Sequence, residues 1–122
     1  MQTVLSTDHF LTRAKRAKLS EDELREIETT LSANPLAGDV MVGTAGARKV
    51  RFAGKQGGKS GGYRTIHYFG GDDVPVFLLD LIDKGEKANL TKAERNELAK
   101  VLPTIADAYR AGVKQKAKEK RK

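Results

Sequence analysis

Cysteine is absent from the 122 residues, which excludes disulfides, thiolate metal sites and cysteine nucleophiles outright. Long apolar runs are absent too. The longest, Val74 to Ile82, is interrupted by Pro75 and Asp80 and falls far short of the roughly 20 residues of a membrane span. The start of the chain, Met1 to Leu5, turns polar without the basic opening and apolar stretch of a signal peptide. These absences lead us to expect an unexported, cytoplasmic protein that does not engage a membrane. Acidic residues are missing from one internal stretch. Residues 47 to 71 hold Arg48, Lys49, Arg51, Lys55, Lys59 and Arg64 without a single Asp or Glu. The two histidines, His9 and His67, lie too far apart for a metal-site spacing, and no internal repeat is visible.

What is present bounds the answer further. At this length the chain has room for one compact domain with one modest core, and we place it over residues 1–111, with residues 112–122 as a basic tail. Hydrophobic residues are 39% and charged residues 32%, within the range of folded soluble proteins, so disorder of the whole chain is not expected. The net charge is +7. From Arg110 onward seven Lys or Arg face one Glu, so the tail carries +6 and all that precedes it only +1. Such a tail reads equally as a phosphate-attracting element or as a solvated, loose end. The acid-free internal stretch is the better signal of an anionic partner, because there the charge is segregated within the body.

Periodicity gives the elements. Thr3 to Leu5 suit a short strand, and Phe10, Leu11 and Ala14 recur at helical spacing up to about Leu19. Ser20 and Glu23 make a capping box that opens a second helix, with Leu24, Ile27 and Leu31 as its stripe. It ends near Asn34, since Pro35 disfavours helical geometry in the residue before it. These two helices should form an antiparallel hairpin. From Gly38 the period drops to 2, with Val40 and Val42, then Val50 and Phe52, then Ile66 and Tyr68 on alternate positions. Val76 to Ile82 is apolar on both faces and reads as a central strand. Thr91 and Glu94 repeat the capping box and open a last helix striped by Leu98, Leu102, Ile105 and Tyr109, which Pro103 should kink or split. The resulting class is α+β, with the helices on one face of a small, mainly antiparallel sheet of about four strands.

Strand parity sets Val50 and Phe52 toward a core and places Lys49 and Arg51 together on the other side. Across a glycine-rich loop, residues 54 to 62, comes Arg64, with Ile66 and Tyr68 on its side. If these two strands pair, Lys49, Arg51 and Arg64 converge on one anion; the alternative is a solvated sheet face. Lys55 and Lys59 add mobile cations within an open backbone. The loop is not a P-loop: its glycine-to-Lys59-Ser60 spacing is wrong and no helix follows, which disfavours nucleoside triphosphates. His67 falls with Tyr63 and Thr65, opposite to Arg64, which favours a structural imidazole over a catalytic one. His9 has no visible partner. Tyr68 suits either base stacking or core packing, and Asp80 either holds one of the cations or edges the groove.

The run RKVRFAGKQGGKSGGYRTIHYF, an acidic turn, the apolar VFLLDLI and then DKGEKANLTKAE resemble the core of the RelE/HigB-type toxins of type II toxin–antitoxin pairs, closest to the HigB-like branch. With NPLAGDVMVGTAGARK before it, the likeness spans about residues 20 to 100. It implies a RelE-like fold and a ribosome-dependent mRNA endoribonuclease that needs no metal or other cofactor, using the RNA 2′-hydroxyl to attack the adjacent phosphate. Lys49, Arg51 and Arg64 occupy the basic positions that do this work in such toxins, and Lys84 and Glu86 match a Tyr-x-Lys-Asn-Glu stretch. Lys84 is then a cation, not a base, and Arg48, Lys55, Lys59, Tyr68 and Lys87 complete the RNA surface. Ile82 and Gly85 depart from that stretch, and Thr91 stands where some relatives have a catalytic tyrosine, which leaves the general base unidentified. Implied partners are a cognate antitoxin, the ribosome and mRNA, with DNA reached only through the antitoxin. The alternative readings are a weakly catalytic or non-catalytic RNA-binding module of the same fold, and a partner in antitoxin-mediated repression.

Overall fold

A computed structural model describes residues 2–53, 62–83 and 90–120, except the side chains of residues 83 and 114–120. The chain runs β1 (Val4–Ser6), α1 (Asp8–Arg16), α2 (Glu21–Ala33), β2 (Asp39–Val40), β3 (Arg48–Phe52), β4 (Tyr63–Tyr68), β5 (Val76–Asp83) and α3 (Lys92–Lys120). Both expected capping boxes form. At α2 the Glu23 amide donates to Ser20 Oγ while the Ser20 amide donates to Glu23 Oε1; at α3 Thr91 and Glu94 do the same. Each satisfies two backbone donors that a helix start leaves orphaned. Pro103 does not split α3, which runs unbroken from Lys92 to Lys120. Pro103 is exposed, so the carbonyl it deprives of a donor is open to hydration.

The strands form one sheet in the order β1-β5-β4-β3-β2. β1 runs parallel to β5, and every other pair is antiparallel. The sheet thus has five strands where about four were expected, because its two edge strands are only three and two residues long. β2 stops at Val40, and both Val40 and Val42 are exposed. With no apolar partner surface to bury them, alternation alone does not extend a strand.

The helices do not share one face, as the sequence pattern suggested. Phe10 and Ala14 of α1 and Ile27 and Leu31 of α2 pack with Phe52, Tyr63, Val76, Leu78 and Leu81. Leu102 and Ala106 of α3 pack on the opposite side with Ile66, Phe77, Leu79 and Ile82. β5 is accordingly buried on both faces, which is why it is apolar at nearly every position. Its alternation slips at a bulge, where Ile66 pairs with Asp80 but His67 pairs with Leu78. Among the described residues no helix is long and apolar enough to cross a membrane.

Candidate active site

The β3–β4 ladder decides where the predicted cations go. Arg51 lies directly opposite Arg64, and Lys49 opposite Ile66. Directly opposed residues of an antiparallel pair share a face, with Cβ atoms about 5 Å apart. Lys49, Arg51 and Arg64 are therefore brought together on one patch, with Arg51 exposed and the other two half-buried. Among the described residues no ion pair or side-chain hydrogen bond engages Arg51 or Arg64. Two like charges in direct opposition repel, so the arrangement is held by the sheet and not by the pair itself. α3 crosses this face toward the Tyr68 end, where Tyr109 meets Phe77 edge-on at 6.1 Å. Ile82, directly opposite Arg64 on β5, is buried in the same cluster as Leu102 and Ala106 of α3.

Arg48 is placed elsewhere. It alternates onto the α2 side with Val50 and Phe52 and donates through Nη1 to the carbonyls of Leu36 (3.0 Å) and Gly38 (3.2 Å), pinning the segment that leads into β2. His67, directly opposite Arg48, is fully buried, and its Nε2 lies 2.8 Å from the Pro35 carbonyl. A carbonyl only accepts, so Nε2 carries the proton. Burial holds the His67 pKa below its ordinary value, with the Pro35 bond opposing and the Arg48 charge adding to the shift. This is the structural histidine that parity favoured. Tyr63, stacked on Phe52 at 5.9 Å, is buried on the same side, and burial next to Glu23 and Glu26 pushes its hydroxyl up to about 12. Tyr68, on the arginine face, packs against the core beneath α3, where a Cβ on Gly70 would come within 3.2 Å of its ring. Lys55, Lys59, Lys84 and Lys87 lie outside the described residues.

Asp80 pairs with none of the sheet cations that the sequence offered it among the described contacts. Its Oδ1 lies 3.1 Å from His9 Nε2 and 3.7 Å from Arg13 Nε, both on α1, and accepts from the Leu81 amide at 2.8 Å. α1 is bolted to the edge of β5 beyond β1: Thr7 Oγ1 donates to the Leu78 carbonyl, and Arg13 Nε to that of Leu81. His9, between these two anchors, thereby gains a partner 71 residues away in sequence. Nothing at helical or strand spacing could have shown it; the signal was Asp80 itself, a carboxylate in the middle of an apolar strand. His9 and Asp80 line a groove of about 220 Å³ with Ile66, Leu79, Leu98 and Glu97.

Of the three positions that depart from the toxin pattern, Gly85 lies outside the described residues and the other two are committed. Ile82 is buried in the core under α3, and Thr91 caps that helix. Neither interrupts the fold, and Ile82 lies directly opposite Arg64 in the sheet. Compared with known protein families, residues 2–121 match the family model described as the RelE toxin of the RelE/RelB toxin–antitoxin system. The match is to the family as a whole and does not single out a HigB-like branch. Because it spans nearly the entire chain, and the α+β architecture with its five-stranded sheet agrees, the chain belongs to the RelE toxin family and is the toxin of a toxin–antitoxin system.

Proposed function

We propose that this toxin is an endoribonuclease that cleaves mRNA on the ribosome, with the face of the β3–β4 ladder that carries Arg51 and Arg64 as its cutting surface. The observation that carries the reading is the direct opposition of Arg51 and Arg64, held without an acidic partner among the described residues. A folded protein gains nothing in stability from such a pair, whereas a phosphodiester gains two preorganised cations where charge develops on its oxygens. In this reading the RNA 2′-hydroxyl attacks the adjacent phosphorus, the O2′–P bond forms and the P–O5′ bond breaks. Arg64 stabilises the transition state. Lys49, Arg51 and Lys84 hold phosphates, Lys55, Lys59 and Lys87 bind the RNA, and the antitoxin silences the toxin by binding it.

Inducible expression tests the proposal. It should arrest growth and produce new mRNA 5′ ends in primer extension, and Arg64→Ala should relieve the arrest by lowering cleavage about 10²- to 10³-fold. Normal translation without new ends would refute it. The departures at Ile82 and Thr91 favour one competing reading, a module that docks on the ribosome and cuts poorly. Salt-sensitive ribosome binding without cleavage products is its signature.

A further inference from the structure

A cutting site of this kind needs a group to take the 2′-hydroxyl proton, and the described tyrosines and His67 are poorly placed for it. Tyr63 and His67 are buried on the far face of the sheet. Tyr68 packs under α3, and Tyr109 lies against Phe77 at the other end. The remaining imidazole is His9, whose side chain is 64% exposed.

We propose that His9, oriented by Asp80, is the general base of this enzyme, an inference that rests on the ribonuclease reading above. The sheet register supplies the geometry. Lys49, Ile66 and Asp80 form one row across three strands, and Arg51, Arg64 and Ile82 form the next. Successive residues on one face of a strand are about 6.6 Å apart, so the groove floored by Ile66 and walled by Asp80 and His9 lies one row from Arg64. A phosphodiester held by the arginines has this groove beside it.

The chemistry of the pair fixes the tautomer. Asp80 is a carboxylate that only accepts, so His9 Nε2 carries the hydrogen and Nδ1 keeps its lone pair. Nδ1 takes the proton of the 2′-hydroxyl as the O2′–P bond forms. The 5′-oxygen released from phosphorus takes a proton from water, and the imidazolium later returns its own to solvent. Among the described residues, the charged groups that face His9 are Asp80 from β5, Arg13 from its own helix, and Glu94 and Glu97 from α3. Asp80 is the positioning residue: it is fixed by the Leu81 amide and Arg13 and sets the ring.

The test uses the purified full chain on mRNA-programmed ribosomes, following kcat and KM across pH. The wild type should show an acid limb between about pH 5 and 8, where imidazoles change charge. His9→Ala should lower kcat about 10²-fold or more, lose that limb, leave KM unchanged and recover activity when imidazole is added. Asp80→Asn should lower kcat with little change in KM. Circular dichroism checks that both variants fold, and imidazole rescue does not follow from a folding defect. Wild-type rates with an unchanged limb in His9→Ala overturn the base while leaving the ribonuclease reading intact. Loss of cleavage without imidazole rescue, together with normal rates in Asp80→Asn, overturns it as well. A wild-type protein that cuts nothing overturns both.

Discussion

Replacing Arg64 by Gln should make the protein more stable while it abolishes cutting. Arg51 and Arg64 are opposed in register on one face, and two unit charges about 7 Å apart repel by about 0.6 kcal/mol in water and roughly 2 kcal/mol at a protein-surface dielectric. Opposed cross-strand pairs generally contribute about 0.2–1 kcal/mol, so we take about 0.5–1 kcal/mol as released by the substitution. Gln retains much of the aliphatic stem of the half-buried Arg64, which limits loss of packing. For a chain of this size that stabilisation raises Tm by about 2–4 °C. Thermal melts followed by circular dichroism at low ionic strength would read it. In 1 M salt, where the Debye length is about 3 Å, the gain should largely vanish. Parallel assays should show cleavage reduced about 10²-fold or more. A Tm that falls at both ionic strengths, or a gain that persists in high salt, would show that repulsion at the site is not what Arg64 adds to the fold.

Three further outcomes follow from particular contacts. Because burial lowers the His67 pKa, the unfolded chain binds more protons than the folded one as pH falls below about 6.5, the ordinary histidine value. Stability present above that pH should therefore be lost on acidification, seen as a falling urea midpoint that His67→Gln flattens. Gly38 has φ +83°, and a Cβ there would lie 2.2 Å from the Lys49 carbonyl oxygen; Gly38→Ala should cost roughly 2–4 kcal/mol in urea unfolding. Deleting residues 112–122 should leave Tm nearly unchanged, because residues 111–113 are exposed and the clamp of Arg110 on Asp73 (2.9 Å) and the Gly70 carbonyl is retained. Ribosome affinity should fall and become less salt-dependent, since the deletion removes cations.

Local chemistry explains why the helices were so legible. Ser20 with Glu23, and Thr91 with Glu94, satisfy donors within four residues of one another, so no distant partner is needed to write a helix start. The parity of β3 and β4 was equally direct: alternation sorted Lys49, Arg51 and Arg64 from Val50 and Phe52 before any pairing was known. The short strands were harder, because Val40 and Val42 alternate like a strand but have nothing to pack against. The placement of α3 was harder still. Its apolar stripe says that it must be covered, and nothing in the stripe says by which side of the sheet.

Sequence by itself determined the elements, the charge segregation and the family, since each depends on residue order over short spans or on a pattern along the chain. Only the tertiary structure decided that the helices divide between both faces, that Arg48 serves the segment before β2, and that Asp80 turns to α1. Those outcomes depend on the sheet register and the bulge in β5, and the contact of Asp80 with α1 joins residues 71 positions apart. A proton acceptor for the proposed cut is one such product: His9 has no meaning in the sequence until the edge of β5 brings Asp80 to it.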